Sequence, residues 1–160
     1  MNLLKLFVQL EDTSVGSAIR ESIWLFPAIE AVHLLGLALL GGAVLILDLR
    51  LLGFGLVNVP IPQVESQTRP WLVAALLTML ITGVPLLLSE ALKLYDSQAF
   101  WIKLAALVCA LSFTLTVRIH IARELDIAHL KAGLRNRAIA TISLSLWLIV
   151  AIAGRWIGFS

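Results

Sequence analysis

The chain has 160 residues, of which 60% are hydrophobic and 14% are charged, and its formal net charge is +2. A soluble domain of this length cannot hide that apolar content, so the composition excludes a soluble globular protein. The small positive balance indicates no nucleic-acid partner, and the single cysteine, Cys109, excludes an internal disulfide. We therefore expect an all-α integral membrane protein.

The first segment, "MNLLKLFVQL", places apolar and polar side chains at helical spacing. Its apolar core is too short to cross a bilayer, and no small-residue cleavage site follows it. The pattern predicts a short interfacial amphipathic helix, which "EDTSVGS" ends before the first span. A frayed tail and a cleaved signal peptide are the alternatives.

Four apolar stretches follow, each with the roughly 20 residues that cross a hydrocarbon core about 30 Å thick. They are residues 22–47, 70–92, 99–121 and 138–159. This leaves no room for a separate soluble domain, so residues 1–160 are predicted to form one bundle of four transmembrane helices in contact with the lipid bilayer.

Lysine and arginine are distributed unequally between the two ends of the predicted bundle. More of them lie beside the connections between spans one and two and between spans three and four, notably in "ARELDIAHLKAGLRNR", residues 122–137. Cytoplasmic loops collect these residues. We therefore expect both connections in the cytoplasm and both termini on the other side of the membrane.

The first span carries two ionisable residues, Glu30 and His33, about one helical turn apart. An ionisable group in hydrocarbon costs at least about 2.5–3.5 kcal/mol, so both should face the protein interior and a partner. Small residues on the same helix permit another helix to approach closely, within the bundle or in a homo-oligomer. The glycines among them are Gly36, Gly41 and Gly42.

Glu30 and His33 lie, by depth along the predicted spans, in the outer half of the membrane. Glu90, Lys103 and Arg155 lie in the same half, so we expect one outer polar network in which Glu30 pairs with Arg155 or Lys103. A second group should lie at the inner boundary, reach the headgroups and be mainly structural. It consists of Asp48, Arg50, Arg118, His120 and Arg123.

Three chemistries could use the outer network. His33 could ligate a haem iron while Lys103 or Arg155 holds a propionate. His33 could instead only hydrogen-bond a Ser or Thr, or it could serve a metal ion, with Glu30 as a second ligand, or a proton relay. These alternatives stay open on the residues alone.

A second axial ligand for such a haem is not obvious. Met79 is close to His33 in depth, although methionine in an apolar helix is usually core. His120 lies about 13 Å deeper and His129 falls in a connection. The iron could be five-coordinate, use His33 of a second copy, or belong to one of two separate haems.

Three short motifs resemble known four-helix membrane proteins. They are the "H..G" of His33 and Gly36, the "TG" of Thr82 and Gly83, and the "FWIKLAAL" that opens the third span. All three look like motifs of the copper-resistance D-type proteins and of the HemJ-type protoporphyrinogen oxidases. "HLLGLALL", "DLRLLG" and "SEALKLY...FWIKL" resemble more closely an uncharacterised bacterial family of about this length.

This resemblance implies a four-helix bundle in the bacterial inner membrane, so the side on which the Lys and Arg distribution places both termini would be the periplasm. Through the HemJ-type proteins it also implies haem b, with His33 in the ligand position of the first helix and Lys103 in the conserved-lysine position. The chain departs from those proteins in the third span, where they carry a deeper histidine and this chain has Phe113 and Thr114. The departure weighs against a shared haem site and, more strongly, against a shared enzymatic activity.

Together these features predict a membrane-bound haem-b protein with a redox or electron-transfer role, and they leave open whether it is an enzyme. The alternative is a non-haem transport or scaffold component. Such a component would conduct a proton, an ion or a metal such as copper, or it would dock a periplasmic protein.

Overall fold

The structure, a computed structural model, describes residues 3–123 and 133–158. These residues form helices without any strand, which confirms the all-α prediction. In chain order the helices are α1 (Leu3–Glu11), α2 (Ser14–Glu21), α3 (Leu25–Leu52), α4 (Ile61–Ser89), α5 (Ala91–Asp96), α6 (Gln98–Arg123) and α7 (Leu134–Ile157). Four of them, α3, α4, α6 and α7, are long and apolar enough to cross a membrane.

The N-terminal amphipathic helix is present as α1 and ends at Glu11, within the segment predicted to break it, but a second helix that the sequence did not predict follows. A second helix, α2, begins at Ser14 because Thr13 caps it: the Thr13 hydroxyl oxygen accepts a hydrogen bond from the Gly16 amide at 3.2 Å. Thr is a preferred residue at this capping position, so "EDTSVGS" contains a helix start as well as a break.

The helical hairpin α1–α2 packs on the junction between α4 and α5. Glu11 accepts a hydrogen bond from the Leu92 amide at 2.6 Å, and the Arg20 guanidinium donates to the Ser89 carbonyl at 3.3 Å. The two side chains also form an ion pair with an N–O distance of 3.1 Å. Glu11 and Arg20 therefore satisfy backbone groups that the helix break at Glu90 leaves open. We call this end of the bundle, with α1, α2 and α5, the hairpin end.

The boundary between α3 and α4 differs from the prediction. α3 continues to Leu52 because Leu47 and Leu51 are buried, and it ends at Gly53, whose φ of 83° is the left-handed conformation of a helix C-cap. α4 begins at Ile61 and continues through Pro70, which the sequence had placed at the helix start. We call the end of the bundle that carries the connection 53–60 the loop end.

The bundle core lies between all four long helices, with α3 packed on α4 and α7, and α6 packed on α7. Its central cluster consists of Leu40, Ala43, Val44, Leu72, Ala75, Ala110, Trp147 and Val150, and a smaller cluster towards the loop end consists of Leu47, Leu51, Val64 and Ala140. Because successive long helices run in opposite directions, the last turns of α3 and α6 share the loop end with the first turns of α4 and α7.

Candidate functional site

A histidine with a fixed orientation lies between α3 and α4, in the half of the bundle nearer the hairpin end. His33 Nδ1 on α3 lies 2.7 Å from the Thr82 hydroxyl oxygen on α4, and that hydroxyl donates its hydrogen to the Thr78 carbonyl at 2.6 Å. A hydroxyl has one hydrogen, so the Thr82 oxygen accepts from the Nδ1–H of His33. In the neutral imidazole Nε2 is then the nitrogen with a free lone pair.

Two glycines make room for this arrangement. A Cβ built on Gly83 would lie 3.3 Å from His33 Cε1, so the imidazole ring lies directly against the backbone of α4. A Cβ on Gly36 would lie 3.0 Å from Thr78 Cγ2, which shows how closely α3 and α4 approach. The "TG" pair of α4 thus has two physical roles: Thr82 anchors the ring and Gly83 accommodates it.

Lys103 on α6 belongs to the same region. It is half-buried and lies within electrostatic range of His33. Its Cε and Nζ lie 3.4 Å from the position of a Cβ on Gly154, so the side chain extends across α7. The structure therefore brings a cation close to the histidine, as the sequence predicted. We call His33, Thr82 and Lys103 the histidine cluster.

The other residues of the expected outer network differ in burial. Glu30 is exposed, and α3 has no buried residue before Gly36. The ion pairs among the described residues are Glu11–Arg20 and Glu65–Arg118, so the expected pairing of Glu30 with Lys103 or Arg155 is not among them. Arg155 is exposed on α7, and Glu90 is half-buried at the helix break before α5.

The small residues of α3 divide into two groups. Gly36 packs against α4 within the bundle. The Met79 sulfur on α4 lies 3.4 Å from the position of a Cβ on Gly36. Met79 packs against the central core cluster, and its role as an axial ligand stays a prediction. Gly41 and Gly42 have no heavy atom within 4 Å of an added Cβ. Contact with a second copy through Gly41 and Gly42 stays a prediction.

The loop end contains a second polar cluster that the sequence did not predict. Arg118 is only 5% exposed, so it does not reach the headgroups as expected. Its two terminal nitrogens donate to the Thr68 hydroxyl and to the Ala43 carbonyl, each at 3.1 Å, and one of them lies 3.7 Å from a Glu65 carboxylate oxygen. Arg118 is covered because α4 starts nine residues before Pro70, at Ile61, and thereby extends Glu65 and Thr68 alongside it.

Asp48 was also expected at the headgroups and is instead 3% exposed. The Ser143 hydroxyl on α7 is within hydrogen-bonding reach of its carboxyl group. Nearby, the Trp147 indole donates to the Thr114 hydroxyl at 3.0 Å. We call Asp48, Glu65 and Arg118, with the hydroxyl groups around them, the charged cluster. Each of the four long helices contributes to it.

The other residues predicted for the inner boundary behave differently from one another. The Arg50 Nε–H donates to the Val59 carbonyl at 2.7 Å and so holds the connection between α3 and α4. His120 is exposed on α6, with Nδ1 3.1 Å from the Thr116 carbonyl. The Arg123 side chain and His129 lie outside the described residues. Within the described residues, no three His, Cys, Asp or Glu side chains form a group that could hold a metal ion.

One protein-family model matches residues 22–160, a range that includes the four long helices. The chain belongs to DUF6644, a family of unknown function. No curated protein and no solved structure gives a significant match. The expectation of an uncharacterised family is therefore confirmed, whereas the likeness to copper-resistance D-type and HemJ-type proteins has no support from these comparisons. The DUF6644 match begins directly after α2, so both polar clusters lie inside it and the hairpin α1–α2 lies outside.

Proposed function

We propose that this DUF6644 protein is a membrane-bound haem-b protein with a redox or electron-transfer role, in which His33 ligates the iron. The observation that carries the proposal is the hydrogen bond from His33 Nδ1 to Thr82. Metal-ligating histidines almost always donate their second ring N–H to an oxygen, which fixes the tautomer and the ring orientation. A free Nε2 on an anchored ring is the donor that haem iron requires.

Two cationic residues in this half of the bundle are suited to the propionate groups of a haem. Lys103 provides a cation near His33 that could pair with a haem propionate, and the exposed Arg155 on the neighbouring helix is a second candidate. Bound haem would supply one-electron chemistry. The residues of this chain would hold the iron, orient the ring through Thr82 and balance the propionate charge.

A second candidate function comes from another class: a non-haem transport or scaffold component that conducts a proton, an ion or a metal, or that docks a periplasmic partner. The observation that favours it is the charged cluster, because Asp48, Glu65 and Arg118 are costly to bury and apolar packing alone would not require them.

The experiment that separates the two candidates is the absorption spectrum of His33→Ala in detergent, measured beside the wild type and His120→Ala. We expect His33→Ala to insert normally and to lose the Soret band, while the exposed His120 is dispensable. Loss of haem in His120→Ala at normal protein level, or a wild-type spectrum in well-folded His33→Ala, contradicts the role given to His33. A wild type that is colourless in haem-replete cells favours the second candidate.

We further propose that the protein lies in a bacterial inner membrane with the loop end in the cytoplasm and both termini in the periplasm. The excess of lysine and arginine around the connections at the loop end supports this orientation. A topology reporter fused after Ser160 should report the periplasm, and one inserted near Gly133 the cytoplasm. The reverse pattern would overturn the orientation.

A further inference from the structure

A small cavity lies inside the charged cluster at the loop end. Its polar lining consists of Asp48, Thr114, Arg118 and Ser143, and apolar side chains of α3 and α6 close the rest. The cavity has room for about one water molecule. It is therefore a polar site inside the bundle.

Two buried polar atoms of the residues that line this cavity have no hydrogen-bond partner among the described residues: Asp48 Oδ2 and Arg118 Nε. One is an acceptor and the other a donor. An unpartnered buried polar group costs about 1–3 kcal/mol, and more where the group is charged. A single water molecule in the cavity can accept from Arg118 Nε–H and also bond to Asp48 Oδ2, as donor when that oxygen is bare and as acceptor when it carries a proton, which satisfies both atoms.

The charges of the cluster do not balance if all three groups are ionised. Glu65 and Asp48 are each 3% exposed and Arg118 is 5% exposed, which gives two carboxylates and one guanidinium in the interior. Arginine stays protonated in proteins. An uncompensated buried carboxylate is far more costly than its neutral acid, so one of the two carboxyl groups should carry a proton.

The geometry distinguishes the two carboxyl groups. Glu65 forms the ion pair with Arg118 at 3.7 Å, whereas no ion pair to Asp48 is found among the described residues. Asp48 has instead the neutral hydroxyl of Ser143 beside it. Glu65 is thus the counter-ion of Arg118, and Asp48 is the group left to hold the proton.

Among the described residues, the other charged groups at this end lie towards the surface. They are Arg50 on α3, Arg69 on α4, His120 on α6, and Arg135 and Arg137 on α7, and of these Arg69 lies within electrostatic range of Arg118. Of these described residues, Arg50 is half-buried and the others are exposed, while the buried polar side chains that α7 contributes, Asn136 and Ser143, are neutral. None of them replaces the ion pair that Asp48 lacks.

We propose that Asp48, Arg118 and one water molecule form a buried proton-binding site, in which Asp48 holds the proton while Glu65 is the carboxylate that faces Arg118. The bound ligand is a proton on the Asp48 carboxyl group, exchanged with solvent by way of the water molecule. This inference does not rest on the haem proposal, because the charged cluster and the histidine cluster share no residue.

Glu65 and Asp48 should exchange roles when Glu65 is neutralised. Because Arg118 needs one negative partner, neutralising Glu65 should cause Asp48 to release its proton and take over as the counter-ion. Glu65→Gln should therefore remove the proton from Asp48 although it does not alter Asp48 itself. A merely structural polar network would not show this exchange.

Infrared spectroscopy of the full chain reconstituted in lipid bilayers measures the proton directly, since a neutral carboxylic acid has a C=O stretch that a carboxylate lacks. At neutral pH we expect such a band in the wild type, and we expect it to shift in D₂O and on labelling aspartate with ¹³C at the side-chain carboxyl. Asp48→Asn and Glu65→Gln should both lose the band. Asp96→Asn, a change of an exposed aspartate on α5, is the matched control and should keep it.

The labelled wild type makes the test independent of how well any variant folds. If no band in the wild type shifts with labelled aspartate, Asp48 is ionised and the proposal is overturned. A band that persists in folded Asp48→Asn assigns the proton to another group, and one that persists in folded Glu65→Gln contradicts the exchange between the two carboxyl groups.

Discussion

The two polar clusters of the bundle differ in how far their polar atoms are bonded within the bundle. The histidine cluster consists of a half-buried ring that uses one nitrogen on Thr82 and leaves the other free. The charged cluster is nearly inaccessible, and Arg118 directs both terminal nitrogens to oxygens within the bundle. A polar group with one atom left without a partner in the bundle therefore differs from one whose charged atoms are bonded within it, even though both are polar residues in apolar helices.

The largest expected effect is on stability, from Arg118→Ala. The substitution leaves Glu65 as an uncompensated charge in the interior and removes two hydrogen bonds that join three helices. Breaking a buried ion pair from one side costs about 3–5 kcal/mol. Unfolding in mixed micelles should show a loss of this size. The exposed Arg69→Ala, a matched control on α4, should change stability by no more than about 0.5 kcal/mol. Equal effects of the two substitutions would contradict a buried charged cluster.

The next effect concerns the anchor of the histidine ring. Thr82→Val keeps the side-chain shape but removes the oxygen that accepts from His33 Nδ1. Loss of such a partner typically lowers metal affinity about 10–100-fold. Haem retention, measured by transfer to apomyoglobin, should fall by a factor in this range. Thr82→Ser keeps the hydroxyl and should retain haem, so equal losses in the two variants would show that the hydrogen bond is not responsible.

A smaller effect is expected at the glycine beneath the ring. In Gly83→Ala the new methyl group would lie 3.3 Å from His33 Cε1, so the ring must move by a few tenths of an ångström. An off-rotamer side chain costs about 0.5–1.5 kcal/mol, which is roughly a two- to tenfold loss of haem affinity. Gly41→Ala, where nothing lies within 4 Å of the added carbon, should leave haem affinity unchanged. A loss in both variants would point to a general effect on α3 and α4.

The smallest effect is expected from Glu30→Gln. Glu30 is exposed and lies about one helical turn from His33, so it influences the ring only through its charge. Haem should be retained, and its midpoint potential should rise, because removing a negative charge favours the reduced iron. The rise should be below about 59 mV, the equivalent of a tenfold change for one electron. A spectroelectrochemical titration measures it, and a downward shift would contradict the assigned influence.

The sequence predicts the four helices and only part of the histidine cluster. Apolar runs of sufficient length are a local signal, and they predict the four long helices that the structure contains. One of the three interpretations of His33, a hydrogen bond to a Ser or Thr, corresponds to its contact with Thr82. Which Ser or Thr it contacts depends on how α3 packs against α4.

The charged cluster was missed because its partners come from different helices. The predicted second span begins at Pro70, because the continuous apolar stretch begins there. Glu65 therefore counted as a loop residue, although it lies on α4 opposite Arg118. Which faces meet depends on helix rotation and register, and these are set by packing across the bundle. The helical spacing of Val64, Thr68 and Leu72 is the sequence signal for an earlier start of α4. An earlier start would have placed Glu65 on a helix and so indicated the charged cluster.

The most direct measurement of the central claim, that the free nitrogen of His33 binds haem iron, is the haem content of the wild-type protein. The full chain should be expressed in haem-replete cells, purified in mild detergent and converted to the pyridine haemochrome. We predict a Soret band, the haemochrome spectrum of haem b, and a haem-to-protein ratio that His33→Ala reduces to background. A colourless, well-folded wild type would contradict the claim and leave the histidine cluster as an internal hydrogen bond between α3 and α4.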